Sequence, residues 1–267
     1  MNILFVGDVV GQSSCRDLTE ALPALKKRFG VDAVIVNGEN SADGNGITPH
    51  SAELLLSGGV DVITTGNHCY KRPEMSPLFE ESSVIIRPAN YGEDCPGRGY
   101  CLLDFGAYSL AVVNLIGINY MQAVDNPFLC ADKILENIDT KNIIVDFHAE
   151  ATSEKRAMGY YLAERVSAVL GTHTHVQTAD EGIIASHTGY ITDVGMTGVA
   201  ESVLGIEKSV IIARLTTYYP QRHIYAKGST TLNAVLLDID SKSGKCCQIK
   251  RICELLDGRK FSSNVIA

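Results

Sequence analysis

Short apolar runs that end in glycine and polar residues are the feature that most constrains the fold of this chain. Three of them lie within the first 65 residues, at Asn2–Val6, Ala33–Val36 and Val60–Thr64. Between them, Arg16–Arg28 repeats its leucines with helical spacing, and Thr48 followed by proline marks a helix start. Strands that alternate with helices in this way predict parallel β-α-β units and an α/β fold.

The alternation is weaker in the rest of the chain, where strand signals dominate. Further strands are predicted at Val84–Arg87, Tyr100–Phe105, Ser109–Leu115, Asn142–Phe147 and Ala168–Leu170. Helices are predicted at Ala131–Ile138 and Thr152–Arg165. From Tyr190 onward helix signals are few, and β-rich runs are predicted at Val210–Leu215 and Leu232–Ile239. Because no repeat or linker divides the sequence, we expect one domain over residues 1–267.

The charge and cysteine content narrow the range of partners. The 267 residues carry a net charge of −8 without a cluster of lysines and arginines. We therefore expect neither a long nucleic acid nor a membrane as a partner, since both bind basic surfaces. A small anionic substrate is compatible, because bound metal ions supply positive charge locally. The eight cysteines form no Cys-x-x-Cys pair and the chain starts without a signal-peptide pattern, so we expect reduced thiols and a cytoplasmic location.

Polar side chains follow five of the predicted strands, at the point where each strand ends. They are Asp8, Glu39 with Asn40, Asn67 with His68, His148, and His173 with His175. In an open parallel sheet the carboxyl ends of the strands share one edge, where ligands bind. The five groups are therefore expected to lie close together although they are distant in sequence.

The residue types in these groups favour a metal site. Carboxylate, carboxamide and imidazole donors suit divalent metals such as Mn, Fe or Zn, and the absence of cysteine argues against a structural zinc site. The donors outnumber the needs of one ion, whereas two ions that share a bridging carboxylate would use them in phosphoryl displacement. No Gly-x-Gly-x-x-Gly or Gly-Lys-Ser/Thr pattern is present, so we expect no nucleotide cofactor.

Each of these residues also has an ordinary interpretation. A single aspartate after a strand is often a turn or cap residue, and a single histidine in an apolar run is often structural. The pair His173 and His175 is more informative, because alternate residues of a strand face the same way. The coincidence of five groups is what favours a common site.

Nine sequence blocks resemble one known family. They are GDVVG (7–11), NGEN (37–40), GITP (46–49), GNH (66–68), RPANY (87–91), VDFHAEATSEK (145–155), GTHTHVQTADE (171–181), YITDVGMTG (190–198) and LNAV (232–235). These blocks resemble calcineurin-like metallophosphoesterases, and most closely the branch of YmdB-like 2′,3′-cyclic-nucleotide 2′-phosphodiesterases. They cover the chain nearly end to end.

The resemblance implies a fold, a metal centre and a reaction. The fold would be a metallophosphoesterase-type sandwich of two mixed β-sheets flanked by helices. One divalent ion would be held by Asp8, Glu39, Asn40 and His175, and the other by Glu39, Asn67, His148 and His173. The ions would be Fe or Mn, with Zn or Mg also compatible with these donors. A hydroxide between them would attack phosphorus while His68 donates a proton to the leaving alkoxide, and the family implies a homo-oligomer.

Two places in the sequence depart from the patterns of the families that it resembles. Most metallophosphoesterases have a histidine two residues after the first aspartate, where this chain has Val10, and Asn40 takes over that role in this branch. The branch usually follows its Gly-Asn-His block with an aromatic residue and an acid, where residues 69–71 of this chain are Cys-Tyr-Lys. We therefore expect the substrate contacts beside His68 to differ.

Three functions are compatible with these residues. The first is hydrolysis of 2′,3′-cyclic nucleotides, the second is a broader phosphatase activity on phosphomonoesters or phosphoproteins, and the third is a non-catalytic regulatory protein that binds metal. A full set of ligands beside an unliganded His68 favours catalysis. Glu150 is interpreted either as a residue that orients a ligand histidine or as an acid at a helix start.

Overall fold

A computed structural model describes residues 1–43, 45–257 and 260–262. Its strands are β1 Asn2–Val6, β2 Ala33–Asn37, β3 Val62–Thr64, β4 Tyr100–Asp104, β5 Ser109–Ile116, β6 Ile143–His148, β7 Ala168–Thr172, β8 Gly182–Ile184, β9 Thr188–Ile191, β10 Gly198–Val199, β11 Thr230–Ile239, β12 Cys246–Asp257 and β13 Lys260–Ser262. Its α-helices are α1 Gly11–Phe29, α2 Pro49–Ser57, α3 Ser76–Glu81, α4 Pro127–Leu135, α5 Thr152–Tyr161 and α6 Lys208–Thr217. A short 3₁₀ helix, Pro73–Met75, precedes α3.

The strands form two mixed sheets. The first sheet has the order β13-β12-β11-β1-β2-β3, with β10 also paired to β11. Its β1, β2 and β3 run parallel, while β11 is antiparallel to β1. The second sheet has the order β4-β5-β6-β7-β9-β8, with parallel β5, β6, β7 and β9 between two antiparallel edge strands. The polar residues that follow the strands therefore lie at the ends of two sheets and not at one edge of a single open sheet.

The parallel strands of both sheets are buried on both faces, which explains their apolar runs. In β1, Leu4 and Val6 belong to the cluster that packs against α1 and α2. Ile3 and Phe5 point to the opposite face and meet side chains of the second sheet, such as Leu170. This alternation follows from the two-residue period of a strand. A third cluster packs α4 and α5 on the outer face of the second sheet, so helices flank both sheets.

Several element boundaries differ from the sequence predictions. The run Val210–Leu215 is part of α6 and not a strand. Its β-branched residues favour strands, but none of the described strands pairs with it, and a helix satisfies its backbone groups locally. Val84–Arg87 forms only isolated bridges, because the proline that follows cannot donate to a ladder. Helix α4 starts four residues before Ala131, at a proline capped by Asn126.

The thiols and the helices of the chain bear on its environment. All eight cysteines are free thiols, and four of them are buried. Among the described residues, no helix combines the length and the apolar character that crossing a bilayer requires.

Candidate metal centre

The structure brings all eight predicted site residues to one end of the sandwich. Asp8, Glu39 with Asn40, and Asn67 with His68 follow β1, β2 and β3 of the first sheet. His148 ends β6, and His173 with His175 follows β7 of the second sheet. The carboxyl ends of both sets of parallel strands therefore face a shared space, as they do in other α/β sheets.

Four donors converge on one point in a first cluster. The Nε2 atom of His148 lies 3.0 Å from Oδ1 of Asn67, 3.1 Å from Nδ1 of His173 and 3.2 Å from Oε2 of Glu39. Adjacent donors around an octahedral ion with bonds of about 2.1 Å are separated by about 3.0 Å, so this spacing fits a metal ion. Side chains of Glu39, His148 and His173 also satisfy the general geometry of a metal-binding group.

A second cluster shares Glu39 with the first. Asp8, Glu39 and His175 each place one donor atom within 4.8 Å of the others. The Oδ1 atom of Asp8 is buried without a hydrogen-bond partner and lies 3.9 Å from Nε2 of His175. An unpaired polar atom in the interior is costly, and a cation at this position would compensate it. The residues therefore fit a second metal ion beside the first.

Asn40 needs one adjustment to act as a ligand through oxygen. Its Nδ2 atom donates to Oε1 of Glu39 at 2.7 Å and lies 3.3 Å from Nε2 of His175. Its Oδ1 atom faces Nδ1 of His68 at 3.0 Å. A half-turn of the carboxamide exchanges these two atoms and directs Oδ1 toward the second cluster.

The electrostatics of the centre favour positive charge. Burial alone would lower the pKa of His148, but the carboxylates of Glu39 and Asp8 raise it to about 9. Burial opposes ionisation of Glu39 as well, yet the neighbouring His148 and His68 hold the pKa of that carboxyl well below its usual value. Burial and His148 together lower the pKa of His173 to about 3, so its ring is neutral and able to bind a cation.

A buried network behind His148 fixes its orientation. Nδ1 of His148 lies 2.8 Å from Oγ1 of Thr172, whose hydroxyl donates to Asp146 at 2.7 Å. Asp146 also accepts from Asn37 at 2.9 Å and from Thr64 at 2.5 Å, so it links both sheets. Because the Thr172 hydroxyl donates to Asp146, it accepts from Nδ1–H of His148, so Nε2 is the ring nitrogen directed toward the centre, where a bound cation would replace its proton.

Asp146, Thr172 and Asn37 were not among the residues predicted from the sequence to serve the site. In the structure Asp146 lies inside β6, while Asn37 and Thr172 are the last residues of β2 and β7, just beyond the predicted strand ends. The signal was nevertheless present, because a carboxylate within the apolar run Ile143–His148 is unusual unless it has partners.

The loop after β7 is held by a second buried carboxylate. The backbone φ angles of His173 and His175 are positive, 102° and 66°, which residues other than glycine rarely adopt. Asp193 accepts from the backbone N–H of Thr174 at 3.0 Å and from its hydroxyl at 2.8 Å. The ammonium of Lys155, buried with Asp193, donates to the same carboxylate at 2.6 Å. These contacts stabilise the strained turn that presents both histidines.

Gly66 is required by the crowding of the centre. A Cβ atom at this position would lie 2.3 Å from Oε2 of Glu39 and 2.4 Å from Nε2 of His148. Such contacts are far below the normal separation of non-bonded atoms. Only glycine therefore lets the backbone after β3 pass this close to both side chains.

His68 borders an open cleft at the centre. The cleft has a volume of about 370 Å³, and its lining residues are Glu39, Asn40, Asn45, His68, Glu150, His173, Thr174, His175 and Leu204. The backbone N–H of His68 donates to Oε2 of Glu39 at 3.1 Å, and its ring is partly exposed. Glu150 places Oε2 3.1 Å from Nε2 of His173, and it lies before the first residue of α5.

The unusual residues beside His68 face the core more than the cleft. Cys69 is fully buried, and Tyr70 packs edge-on against Phe79 and Tyr91. The hydroxyl of Tyr70 donates to the carbonyl of Pro96 at 2.6 Å. Cys69 and Tyr70 therefore support His68 from the core, while Lys71 is exposed.

Two mixed sheets flanked by helices, with oxygen and nitrogen donors gathered at their strand ends, define a metallophosphoesterase-type sandwich, as the resemblance predicted. The family model of YmdB-like proteins matches residues 4–252, and the chain therefore belongs to this family.

Individual relatives agree with this assignment. A 2′,3′-cyclic-nucleotide 2′-phosphodiesterase of Bacillus subtilis (strain 168) is 44% identical over 254 residues, which are 94% of this chain and 96% of the relative. A crystal structure of a hypothetical protein from Thermus thermophilus has a TM-score of 0.90 and 40% identity, over 96% of this chain and 99% of that one. A structure described as a novel phosphatase from Mycoplasma pneumoniae has a TM-score of 0.89 and 31% identity, over 96% and 93% of the two chains.

Proposed function

We propose that this chain is a metal-dependent phosphodiesterase that hydrolyses 2′,3′-cyclic nucleotides. The observation that carries the proposal is the position of His68, which borders the cleft directly beside two clusters of metal-binding side chains that share Glu39. The Bacillus relative, 44% identical, has this activity by name. A cleft of about 370 Å³ is within the usual range for small-molecule sites, and it suits a mononucleotide better than a polymer.

Seven side chains would hold two divalent ions. The first ion would take Asp8, Glu39, Asn40 and His175, and the second Glu39, Asn67, His148 and His173. When bound, such ions neutralise the charge of a phosphodiester and lower the pKa of water from about 15.7 toward neutrality. The donors are compatible with Fe or Mn and also with Zn or Mg, so metal supply in the cell decides which is used.

His68 would supply the proton that the leaving oxygen needs. Hydrolysis at the 2′ position of a cyclic phosphate releases an alkoxide, which is a strong base and a poor leaving group. Nδ1 of His68 lies 3.2 Å from Oε1 of Glu39, a carboxylate oxygen that accepts a hydrogen bond from a protonated ring nitrogen. In its imidazolium form His68 would donate Nδ1–H to that carboxylate and give its Nε2 proton to the leaving oxygen, which leaves a neutral imidazole. Acid catalysis of this kind contributes about 10²–10⁴-fold.

The remaining expectations about the chain extend this proposal. A family match from residue 4 to residue 252 supports a single domain over residues 1–267. Eight unpaired cysteines support a reducing, cytoplasmic environment. The substrate would be a small anionic phosphate ester, for which the metal ions supply the charge that the acidic chain lacks.

Phosphatase activity is the second candidate, because a structural relative with a TM-score of 0.89 is described as a phosphatase. The two activities are separated by supplying Mn²⁺ and comparing turnover of 2′,3′-cyclic AMP with that of p-nitrophenyl phosphate. Preferential turnover of the cyclic nucleotide supports the proposal, and preferential turnover of the monoester supports the second candidate. Bound metal without turnover of either would identify a non-catalytic protein.

The role of His68 is tested by His68→Ala, with His50→Ala on the exposed side of α2 as the control. We expect the first variant to bind Mn²⁺ as the wild type does and to lose about 10²–10⁴-fold in turnover of the cyclic nucleotide. The loss should be much smaller for p-nitrophenyl phosphate, whose leaving group needs no proton. Equal losses on both substrates, or no loss, would remove His68 from the proposed step.

A further inference from the structure

A tight turn over residues 203–206 carries a strained leucine at the cleft of the candidate metal centre. The N–H of Val203 donates to the carbonyl of Ile206 at 2.8 Å, and the N–H of Ile206 donates back at 3.0 Å. The two residues between them, Leu204 and Gly205, have positive φ angles of 52° and 90°. Two successive positive φ angles are the mark of a type I′ turn, which favours asparagine and glycine at its centre. Leu204 is therefore held in a conformation that a leucine rarely adopts.

Packing within the chain does not explain this leucine. Leu204 is 47% exposed and belongs to none of the three apolar clusters of the described residues. Among the described residues that line the cleft, it is the one apolar side chain. Strained residues concentrate at functional sites, where the surrounding structure holds them in place. The position of Leu204 therefore points to a ligand in the cleft.

The turn is held firmly against the centre. The N–H of Gly205 donates to the hydroxyl oxygen of Ser202 at 2.9 Å. A Cβ atom on Gly205 would lie 2.5 Å from Cγ1 of Val10, so the absence of a side chain lets the turn pack directly on this residue. Val10 in turn forms a backbone bridge with Asn40, a proposed metal ligand. A fixed backbone therefore presents Leu204 to the cleft.

A positioned carboxamide, that of Asn45, lines the same cleft. The backbone N–H of Asn45 donates to the hydroxyl oxygen of Tyr225 at 3.0 Å, and that hydroxyl donates to Oδ1 of Asn45 at 3.3 Å. The carbonyl of Asn45 also accepts from Nε of Arg72 at 3.1 Å. Because Oδ1 is turned toward Tyr225, the Nδ2 atom is directed away from the tyrosine and can donate to a ligand.

An apolar side chain combined with a fixed carboxamide matches the chemistry of a nucleobase. A base has flat faces that pack against apolar groups, and an edge of ring nitrogens and carbonyl oxygens that accept hydrogen bonds. Asparagine is one of the side chains that bind such edges. The metal-binding clusters border the same cleft, so a phosphate held there and a base held by Leu204 and Asn45 would belong to one ligand.

Given the nucleotide substrate proposed above, on which this inference rests, we infer that Leu204 and Asn45 form a subsite for its nucleobase. One face of the base packs on Leu204, and the edge of the base accepts a hydrogen bond from Nδ2 of Asn45. The subsite recognises a part of the substrate that the metal ligands do not hold. It therefore gives nucleotides an advantage over other small phosphate esters, and neither side chain takes part in proton transfer.

Isothermal titration of the Mn²⁺-loaded chain with 3′-AMP and with glycerol 2-phosphate tests the subsite. Both ligands carry a phosphate on a secondary carbon, and only the first has a base. We expect Leu204→Asn to lower the ratio of the two affinities about 10-fold or more. Asn45→Gly, which keeps the φ of 68° free of strain, should lower it about 3–10-fold. Leu129→Asn, the same change at a residue 60% exposed on α4, is the matched control and should keep the wild-type ratio.

Thermal unfolding of Leu204→Asn provides a second measurement. The substitution places asparagine before Gly205, which is the pair that type I′ turns favour. We therefore expect a midpoint of unfolding equal to or above that of the wild type. A lower midpoint would show that Leu204 packs on the fold and would overturn the inference.

Two binding results would also overturn the inference. One is an unchanged affinity ratio in Leu204→Asn, and the other is a wild type that binds 3′-AMP no more tightly than glycerol 2-phosphate. The phosphodiesterase proposal fails separately, if the Mn²⁺-loaded wild type does not turn over 2′,3′-cyclic AMP. Base-dependent binding of 3′-AMP without that turnover would support the subsite and contradict the reaction.

Discussion

Replacement of Gly66 by alanine is predicted to abolish metal binding without unfolding the chain. The new Cβ would lie 2.3 Å from Oε2 of Glu39 and 2.4 Å from Nε2 of His148. Since non-bonded carbon contacts are normally about 3.5 Å or longer, each donor must move by about 1 Å. Metal–ligand distances tolerate changes of about 0.2 Å, so neither donor can stay in place.

The expected loss follows from the number of donors displaced. Glu39 belongs to both clusters, and the Gly66→Ala methyl group therefore affects both proposed ions. Changing a residue that only supports a ligand typically reduces metal affinity about 10–100-fold, so direct displacement of two donors should cost more than about 100-fold. A displacement of about 1 Å at a reacting centre lowers turnover by a similar factor.

Isothermal titration with Mn²⁺, combined with circular dichroism, measures this effect. Gly92→Ala is the matched control, because a Cβ there meets nothing within 4 Å. We expect both variants to give the wild-type circular dichroism spectrum, and only Gly66→Ala to lose the binding isotherm and the turnover. A Gly66→Ala protein that binds Mn²⁺ with wild-type affinity would refute the assignment of these side chains as ligands.

Three further predictions concern the supporting residues and the thiols. Thr172→Val removes the acceptor for Nδ1–H of His148 and should lower Mn²⁺ affinity about 10–100-fold; unchanged affinity would show that the network does not orient the ring. Asp193→Asn leaves the buried ammonium of Lys155 without its carboxylate and should reduce the free energy of unfolding by about 3–5 kcal/mol in denaturant titrations; a loss below about 1 kcal/mol would contradict this. At about pH 8, iodoacetamide should alkylate the exposed Cys247 before the four buried cysteines, whose pKa burial raises to about 12 so that they stay protonated; equal rates by mass spectrometry would contradict the described packing.

Much of the fold could be predicted because apolar runs and strand ends are visible locally. The runs at Asn2–Val6 and Ala33–Val36 are strands because they are buried on both faces, which requires apolar side chains at every position. Their division between two sheets could not be derived from periodicity, since pairing order depends on contacts between distant segments. Only the family resemblance predicted two sheets.

The run Val210–Leu215 shows the opposite case. Its β-branched residues favour a strand, yet no described strand accepts it as a neighbour, and it forms α6. A helix satisfies its own backbone hydrogen bonds, which a strand without a neighbour cannot do, so propensity alone gives the wrong element here.

The side chains proposed as metal ligands could be picked out in the sequence, whereas the buried residues that orient them could not. Asp8, Glu39 and His175 stand directly after strands, where position and residue type both indicate a ligand. Asp146 and Thr172 lie within strands, and their role depends on which side chains of the facing sheet they meet. Those contacts follow from tertiary packing and leave only a weak trace in the sequence.

The most direct measurement is ³¹P nuclear magnetic resonance of 2′,3′-cyclic AMP with protein whose Mn²⁺ content has been counted. We expect two ions per chain and conversion of the cyclic phosphate resonance to that of 3′-AMP, with no conversion after the ions are removed by a chelator. A cyclic resonance that persists in the presence of two bound ions would contradict the proposed activity. Equal conversion by the metal-free protein would contradict the metal-dependent mechanism.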